Sequence, residues 1–253
     1  MKKESILFTK TLKEQIYDYL REEIHKQNLK PGSIINMDAT SRELGISKTP
    51  LRDALLQMEM EGFVTIANRR GVYVNSLGPD DIKELYQVIG ALEHAALVNG
   101  FSNIKAVHIA KMKRLMDDMK KSLEDEDFKQ FYKKNLEFHD TYILLSGNHS
   151  LVKIINTMKK RLYEFPPQEK WLKEWEEASM LEHEKLVHLI EEGTPREAAD
   201  FIRDVHWSFS VQEKFIKRYY FNNKESAGEI PDREHKGITL NGRSGAGLSG
   251  TFP

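Results

Sequence analysis

Hydrophobic positions recur with helical spacing over most of the chain. In the first such segment, from about residue 9 to residue 27, an apolar residue returns every four positions: Leu12, Ile16, Leu20 and Ile24. This spacing places the apolar side chains on one face of an α-helix. A Pro31-Gly32 turn then ends the segment. The chain is therefore predicted to begin with an amphipathic helix that packs against a core.

Residues 47–62, S-K-T-P-L-R-D-A-L-L-Q-M-E-M-E-G, predict a short helix with defined ends. Ser47 or Thr49 can cap its first turn, and Gly62 ends it. The apolar stripe of this helix consists of Leu51, Leu55 and Met58. Lys48 and Arg52 are one turn apart, so they project together, as cations do on a helix that enters the DNA major groove. Taken alone, the pattern is also that of an ordinary amphipathic helix with a solvated charged face.

The neighbours of this helix favour a winged helix-turn-helix. Residues 37–45 predict another short helix, which ends in glycine just before the helix of residues 47–62. Downstream, the β-rich runs 63–66 and 72–74 flank a polar turn and predict a hairpin. The tip of the hairpin carries Arg69 and Arg70, well placed to contact phosphates or the minor groove.

From Pro79 onward the pattern is helical throughout, and glycine and proline mark the breaks. The predicted helices cover about residues 79–99, 103–123, 126–146, 149–165, 170–192 and 195–221. The fold class is therefore mainly α: a winged helix-turn-helix with a small β-hairpin, followed by an all-α antiparallel bundle. The predicted domains are residues 9–76 for DNA binding, 79–221 for effector binding and dimerisation, and a glycine- and serine-rich disordered tail at 222–253.

Composition narrows the class of protein. The 253 residues carry a net charge of −1 and are 40% hydrophobic and 30% charged, as expected of a soluble protein with a real core. Without a net positive charge, DNA contact must come from a local basic surface. The absence of cysteine excludes a disulfide framework and a thiolate metal site. No signal peptide and no apolar run near the roughly 18 residues of a membrane span is visible, so the expected location is cytoplasmic.

Three histidines stand out because each lies on the apolar stripe of a different predicted helix. They are His139, His183 and His206, and Asn135 shares a face with His139 one turn earlier. Three imidazoles that enter one core from three helices can coordinate a metal ion. The alternative is that each is a core histidine with its own hydrogen-bond partner. Periodicity alone leaves both interpretations open.

The N-terminal run L-K-P-G-S-I-I-N-M-D-A-T-S-R-E-L-G-I-S-K-T-P-L-R-D-A-L-L-Q-M-E-M-E-G-F-V-T-I-A-N-R-R-G-V-Y-V resembles the DNA-binding domain of GntR-family bacterial transcription regulators. The resemblance covers about residues 9–76. It implies DNA contacts from Lys48, Thr49 and Arg52 in the recognition helix, and from Arg69, Arg70 and Gly71 in the wing. The family usually has arginine where Lys48 stands, and lysine cannot offer guanine the same planar fork.

The segments N-L-E-F-H-D-T-Y-I-L-L-S-G-N, L-E-H-E-K-L-V-H-L-I-E-E-G-T-P-R-E-A-A and F-I-R-D-V-H-W resemble the FCD effector domain of the FadR-type branch. That domain is a helical bundle which commonly binds a divalent metal beside a small organic acid. By this resemblance His139, His183 and His206 are ligands, and Asn135 stands where the family usually has aspartate. The metal would be Zn, Ni or Mn, held more weakly because an amide oxygen is neutral.

An arginine that pairs with the effector carboxylate in many family members is replaced here by Ile89. Arg161 and Tyr163 are candidate effector contacts in its place, or else exposed surface residues.

The expected function is a homodimeric repressor, with no enzymatic activity, that binds a double-stranded operator under the control of a small-molecule effector. Two alternatives remain: a metalloenzyme that uses the three histidines, and a regulator whose metal is only structural.

Overall fold

The computed structural model of the protein describes residues 10–68, 70–164 and 172–221. In its N-terminal part, three helices pack against a small antiparallel sheet. The helices are α1 (Leu12–His25), α2 (Met37–Glu43) and α3 (Lys48–Met60), and the strands are β1 (Ile34–Ile35), β2 (Val64–Ala67) and β3 (Gly71–Val74). These elements make a winged helix-turn-helix, which confirms the predicted fold class. The tail prediction for residues 222–253 lies outside the described residues.

Helix α3 forms where the sequence predicts it. Leu51, Leu55 and Met58 are completely buried, so the predicted apolar stripe faces the core of this domain. Ser47 occupies the N-cap position with extended backbone, although its side chain makes no capping hydrogen bond. Gly62 follows the helix with a φ of +80°, a conformation that glycine adopts without strain.

The sheet has one strand more than the predicted hairpin, because β1 pairs with β3 on the side away from β2. Ile34 lies opposite Tyr73 and Ile35 opposite Val72. A strand of two residues is too short for its side chains to show the alternation that marks a strand in sequence. Its pairing is decided by the neighbouring strand, so it appears only in the folded chain.

The C-terminal part is helical throughout the described residues, as predicted. Its helices are α4 (Pro79–Gly100), α5 (Ala106–Glu124), α6 (Phe128–Ile143), α7 (His149–Glu164), α8 (Lys173–Glu192), α9 (Pro195–Phe201) and α10 (Phe209–Ile216). They enclose a hydrophobic core separate from that of the N-terminal domain. None of the helices in the described ranges is long and apolar enough to cross a membrane.

The prediction of a single helix over residues 195–221 is wrong in one respect, because the helix is interrupted after His206. Residues Ile202–His206 widen into a π-helical turn, and the Trp207 N–H donates to the Ile202 carbonyl at 2.9 Å. The widened turn brings Trp207 against α4, where its Cβ lies only 2.9 Å from the position that a Cβ on Gly90 would occupy. Wide turns of this kind often occur at functional sites, and this one ends at a predicted metal ligand.

Candidate functional site

The three predicted contact residues of helix α3 lie at its N-terminal end and are exposed. Lys48, Thr49 and Arg52 all face solvent, while Leu51 between them is buried in the domain core. The Lys48 ammonium forms an ion pair with Asp38 of α2. An exposed pair of this kind contributes little to stability, so Lys48 can exchange Asp38 for another anion at small cost.

The wing of the predicted DNA-binding surface is the turn between β2 and β3. Arg70 is exposed there, and the Tyr73 hydroxyl donates to its backbone carbonyl at 3.1 Å. Gly71 has a φ of +115°, so a side chain at this position would strain the turn. Arg69 lies outside the described residues.

In the helical domain, the structure brings the three predicted histidines together. His139 comes from α6, His183 from α8 and His206 from the π-helical turn, and one ring nitrogen of each lies within 4.8 Å of the others. The ring centroids are 5.0 to 5.3 Å apart. His139 and His183 are completely buried, and the His206 side chain is 9% exposed. The histidine cluster therefore has the composition and spacing of a metal site.

The polar atoms at the centre of the histidine cluster support this interpretation. Asn135 Oδ1, His139 Nε2 and both ring nitrogens of His183 are buried, and no described residue forms a hydrogen bond with them. Leaving so many buried polar atoms unpaired is costly, so a native site of this kind calls for a partner. Each of these atoms is a metal-ligand type, and a bound cation would satisfy them together.

Two buried or nearly buried carboxylates orient the cluster from outside. His139 Nδ1 lies 3.0 Å from Glu93 Oε2, and His206 Nδ1 lies 2.7 Å from Glu182 Oε2. Because an ionised carboxylate only accepts hydrogen bonds, each Nδ1 is the protonated nitrogen and each Nε2 keeps its lone pair for the centre. Carboxylate–histidine pairs of this kind set the tautomer and ring orientation in metal sites.

Glu93 is completely buried and is held as a carboxylate by Lys159 of α7, whose Nζ lies 2.6 Å from Glu93 Oε1. Burial by itself would raise the pKa of Glu93, but the Lys159 ammonium and His139 hold it well below its usual value. Burial, reinforced by the charge of Lys159, lowers the pKa of His139 to about 3. The imidazole is therefore neutral near pH 7, the form that binds metals.

Glu93, Lys159 and Glu182 were missed as site residues from the sequence. For the first two a signal existed, since each is a charged residue on an apolar stripe. Glu93 follows buried Ile89 by one turn in α4, and Lys159 follows buried Ile155 by one turn in α7. Glu182 carries no such signal, because its role depends on where His206 lies in space.

A narrow cavity of about 50 Å³ adjoins the histidine cluster, and Asn135 and His206 belong to its lining. We call it the effector cavity. Besides Trp207, its aromatic lining consists of Tyr86, Tyr132, Tyr163, Trp175, Tyr219 and Tyr220. Tyr163, one of the two predicted effector contacts, is among these lining residues. Arg161 is not part of this lining: its Nη2 lies 3.3 Å from Asp81 Oδ1, and its side chain packs on Gly62.

Two family descriptions match the chain. "Bacterial regulatory proteins, gntR family" covers residues 12–74, and "FCD domain" covers residues 84–205. A relative in Agrobacterium vitis, an uncharacterized HTH-type transcriptional regulator in the TAR-I ttuE-ttuC' intergenic region, is 30% identical over 130 residues, which are 50% of this chain and 76% of the relative. The chain belongs to the GntR family of bacterial regulatory proteins. As in the resemblance drawn from its sequence, its helical part is an FCD domain.

More distant GntR relatives extend over both domains. The HTH-type transcriptional repressor GlaR of Escherichia coli K12 is 23% identical over 197 residues, 74% of this chain and 84% of that repressor. The solved structure of E. coli McbR/YncC superposes with a TM-score of 0.62 at 19% identity, over 84% of this chain and 98% of that one. The structural likeness shows a shared fold. Members of this family are transcription regulators and not enzymes, in agreement with the prediction.

The buried Glu93–Lys159 pair generates a stability prediction. Lys159→Met would leave the Glu93 carboxylate buried without its cation, which we expect to lower the free energy of unfolding by about 3–5 kcal/mol. The double variant Glu93→Gln/Lys159→Met, which leaves no charge behind, should recover a large part of this loss. Urea unfolding of the wild type, both single variants and the double variant measures the coupling. Strictly additive effects would contradict the proposed pairing.

Proposed function

We propose that the protein is a homodimeric transcription repressor whose operator binding is controlled by a small-molecule effector in the FCD domain. Membership of the GntR family supports DNA binding, and GlaR, a relative, is described as a repressor. A symmetric dimer would present two recognition helices and two wings to the two halves of a pseudo-palindromic operator. The observation that carries effector control is the effector cavity, which lies between the histidine cluster and the helix that reaches the DNA-binding domain.

In this proposal, Asn135, His139, His183 and His206 hold a divalent metal ion, Zn, Ni or Mn. The support is the set of buried and unpaired donor atoms on these residues. When bound, the metal would supply a positive charge beside the effector cavity, whose lining includes Asn135 and His206. Glu93 and Glu182 orient His139 and His206 and hold the proton on Nδ1 of each ring. The ligand set itself is neutral, so binding should be weaker than in relatives with aspartate in place of Asn135.

Helix α7 connects the effector domain with the DNA-binding domain. Its Lys160 Nζ lies 3.1 Å from Glu61 Oε2 and 4.4 Å from the centre of the Tyr17 ring. Glu61 is the C-cap residue of recognition helix α3, and it also accepts a hydrogen bond from the Tyr17 hydroxyl at 2.5 Å. The next residue, Arg161, packs on Gly62 directly after that helix. We call these contacts of Lys160 and Arg161 the junction.

The same helix reaches the effector site. Lys159 pairs with Glu93 behind the histidine cluster, and Tyr163 lines the effector cavity. A ligand that shifts α7 would therefore change the junction and bias the orientation of the DNA-binding domain. A ligand can shift this equilibrium only by its difference in affinity for the two orientations.

Metal content tests the histidine cluster. We expect about one divalent metal per chain in the wild type by inductively coupled plasma mass spectrometry, and a large loss in His183→Ala, because that residue supplies a ligand from the cluster centre. His188→Ala on the same helix is the matched control, since His188 is exposed. Absence of metal after incubation with Zn, Ni and Mn would overturn the metal site. If the metal stabilises the fold but no ligand changes DNA binding, the role of the metal is structural only.

DNA binding tests the recognition helix. Duplexes that the full-length protein selects from a random library serve as the probe. Arg52→Ala should weaken binding to them by roughly 1–3 kcal/mol and relax sequence preference, because arginine forms paired hydrogen bonds with a base edge. Arg114→Ala, an exposed arginine of α5, is the control. Unchanged affinity and preference in gel-shift titrations of Arg52→Ala would remove this residue from the DNA surface.

Proteolysis tests the junction. Replacing Lys160 with methionine removes its ion pair with Glu61, so residues 75–78 between the domains should be cleaved severalfold faster by a nonspecific protease at low concentration. Lys153→Met, an exposed position of the same helix, should behave like the wild type. Equal cleavage rates in all three proteins would show that Lys160 does not hold the domains together.

A further inference from the structure

Among the described residues, the ionisable side chains that line the effector cavity, apart from histidine and tyrosine, are all acidic. They are Glu176 and Glu182, and no lysine or arginine is among the described residues that line the cavity. Glu182 is already engaged, since Oε2 contacts His206 Nδ1 at 2.7 Å and Oε1 accepts from Gln212 Nε2 at 2.7 Å. The Glu176 carboxylate receives no hydrogen bond from any residue in the described ranges. Glu176 is half-buried, so it is the acidic group of the cavity that is left to meet a ligand.

The electrostatic environment of Glu176 agrees with its geometry. Burial raises the pKa of Glu176 to about 8, because the surrounding rings solvate a carboxylate poorly. The pKa values of Tyr132 and Tyr220 are raised well above the ordinary value for tyrosine. Burial is the main cause, and neighbouring ionisable groups, including Glu176, add to it. Near pH 7 Glu176 is therefore mostly the neutral acid. A bound cation would favour its ionised form and pair with it, whereas a bound anion would not.

The walls of the cavity also suit a cation. Tyr132 and Tyr163 meet edge to face with ring centres 4.6 Å apart, and Trp175 and Tyr219 do so at 5.6 Å. The face of an aromatic ring is electron-rich and its edge is electron-poor, so rings that meet edge to face turn their electron-rich faces in different directions. Tryptophan and tyrosine faces attract ammonium groups, most strongly where water is excluded.

One wall is connected to the histidine cluster. Trp175 Nε1 donates to Gln212 Oε1 at 2.9 Å, Gln212 donates to Glu182, and Glu182 holds His206. A ligand that contacts Trp175 therefore contacts one end of a chain of hydrogen bonds, and the other end of that chain is His206, a proposed metal ligand. Because the hydrogen bonds of such a chain strengthen one another, the position of the ligand and the orientation of the His206 ring are coupled.

We propose that the effector cavity selects a small ligand with a positively charged nitrogen, an amine or quaternary ammonium group, held by the aromatic rings and Glu176. This inference rests on the proposed function only in taking this cavity as the effector site. It differs from the organic acid that the FCD resemblance implies. A zwitterion would satisfy both ends of the cavity, with its nitrogen at Glu176 and its carboxylate toward the histidine cluster. A simple amine would use the Glu176 end alone.

Probes that differ only in the charged nitrogen test this inference on the full-length, metal-loaded protein. Choline is compared with 3,3-dimethylbutan-1-ol, glycine betaine with 3,3-dimethylbutanoate, and butylamine with butan-1-ol, each by isothermal titration calorimetry. We expect the nitrogen compound to bind about tenfold or more tightly than its partner in at least one pair, a difference of about 1.4 kcal/mol. Preference in the betaine pair alone indicates a zwitterion, and preference in the other pairs indicates a simple cation.

Glu176→Gln keeps the shape of the cavity but cannot ionise to pair with a cation, so it should abolish most of this preference. Glu177→Gln, an exposed neighbour on α8, is the matched control and should keep it. Carbon or hydroxyl partners that bind as tightly as the nitrogen compounds in all pairs would overturn the inference. So would no binding of any nitrogen compound at about 10 mM, a concentration that detects even weak millimolar affinity.

Gel shifts with the selected duplexes separate this inference from the proposed function. Binding of a nitrogen compound that leaves DNA affinity unchanged would retain the ligand class and reject effector control. A change in DNA affinity that only carboxylates without a cationic nitrogen produce would retain effector control and reject the ligand class.

Discussion

The buried carboxylate of Glu93 is the constraint on which the effector domain depends. It joins three helices, because Glu93 lies on α4, its partner His139 on α6 and its counter-ion Lys159 on α7. A carboxylate without these partners would be too costly to bury. The pairing therefore determines where α6 and α7 lie against α4, and it orients the His139 ring toward the histidine cluster. Glu93 therefore contacts the histidine cluster through His139 and helix α7 through Lys159.

Helix α7 contacts both Glu93 of the helical domain and Glu61 of the DNA-binding domain. Successive residues of an α-helix point about 100° apart, so neighbours in sequence face different surroundings. Lys159 faces the buried carboxylate, Lys160 and Arg161 face the DNA-binding domain, and Tyr163 faces the effector cavity. A small rotation or shift of this one helix changes all of these contacts together. Under the proposed function, this helix would have two arrangements, each favoured by a different ligand state.

Negative charge around the histidine cluster lies one hydrogen bond outside the proposed ligands. Three neutral imidazoles and an amide face the centre, while Glu93 and Glu182 stand behind His139 and His206. On the cavity side, Glu176 adds a carboxylate among aromatic rings. Ile89, which the family resemblance places where many members have an arginine, is buried.

The sequence by itself determined most of the secondary structure, except strand β1 and the interruption after His206, and the composition of the histidine cluster. Helical periodicity is a local property, so α3 and its buried stripe could be read from Leu51, Leu55 and Met58. The same rule placed three histidines on inward faces, and a common core then brought them together. Lys48, Thr49 and Arg52, for which the helix pattern and the family resemblance predict DNA contact, are exposed in the fold. Their DNA contacts stay predictions.

Only the tertiary structure decided which distant residues become partners. The pairing of Glu93 with Lys159, the contact of Glu182 with His206 and the place of Arg161 at the junction join residues far apart in the chain. The break after His206 occurs where Trp207 packs against Gly90, a contact that no local sequence pattern predicts. Periodicity tells which face of a helix is buried, but not which group on another helix that face will meet, because this depends on how all the helices pack.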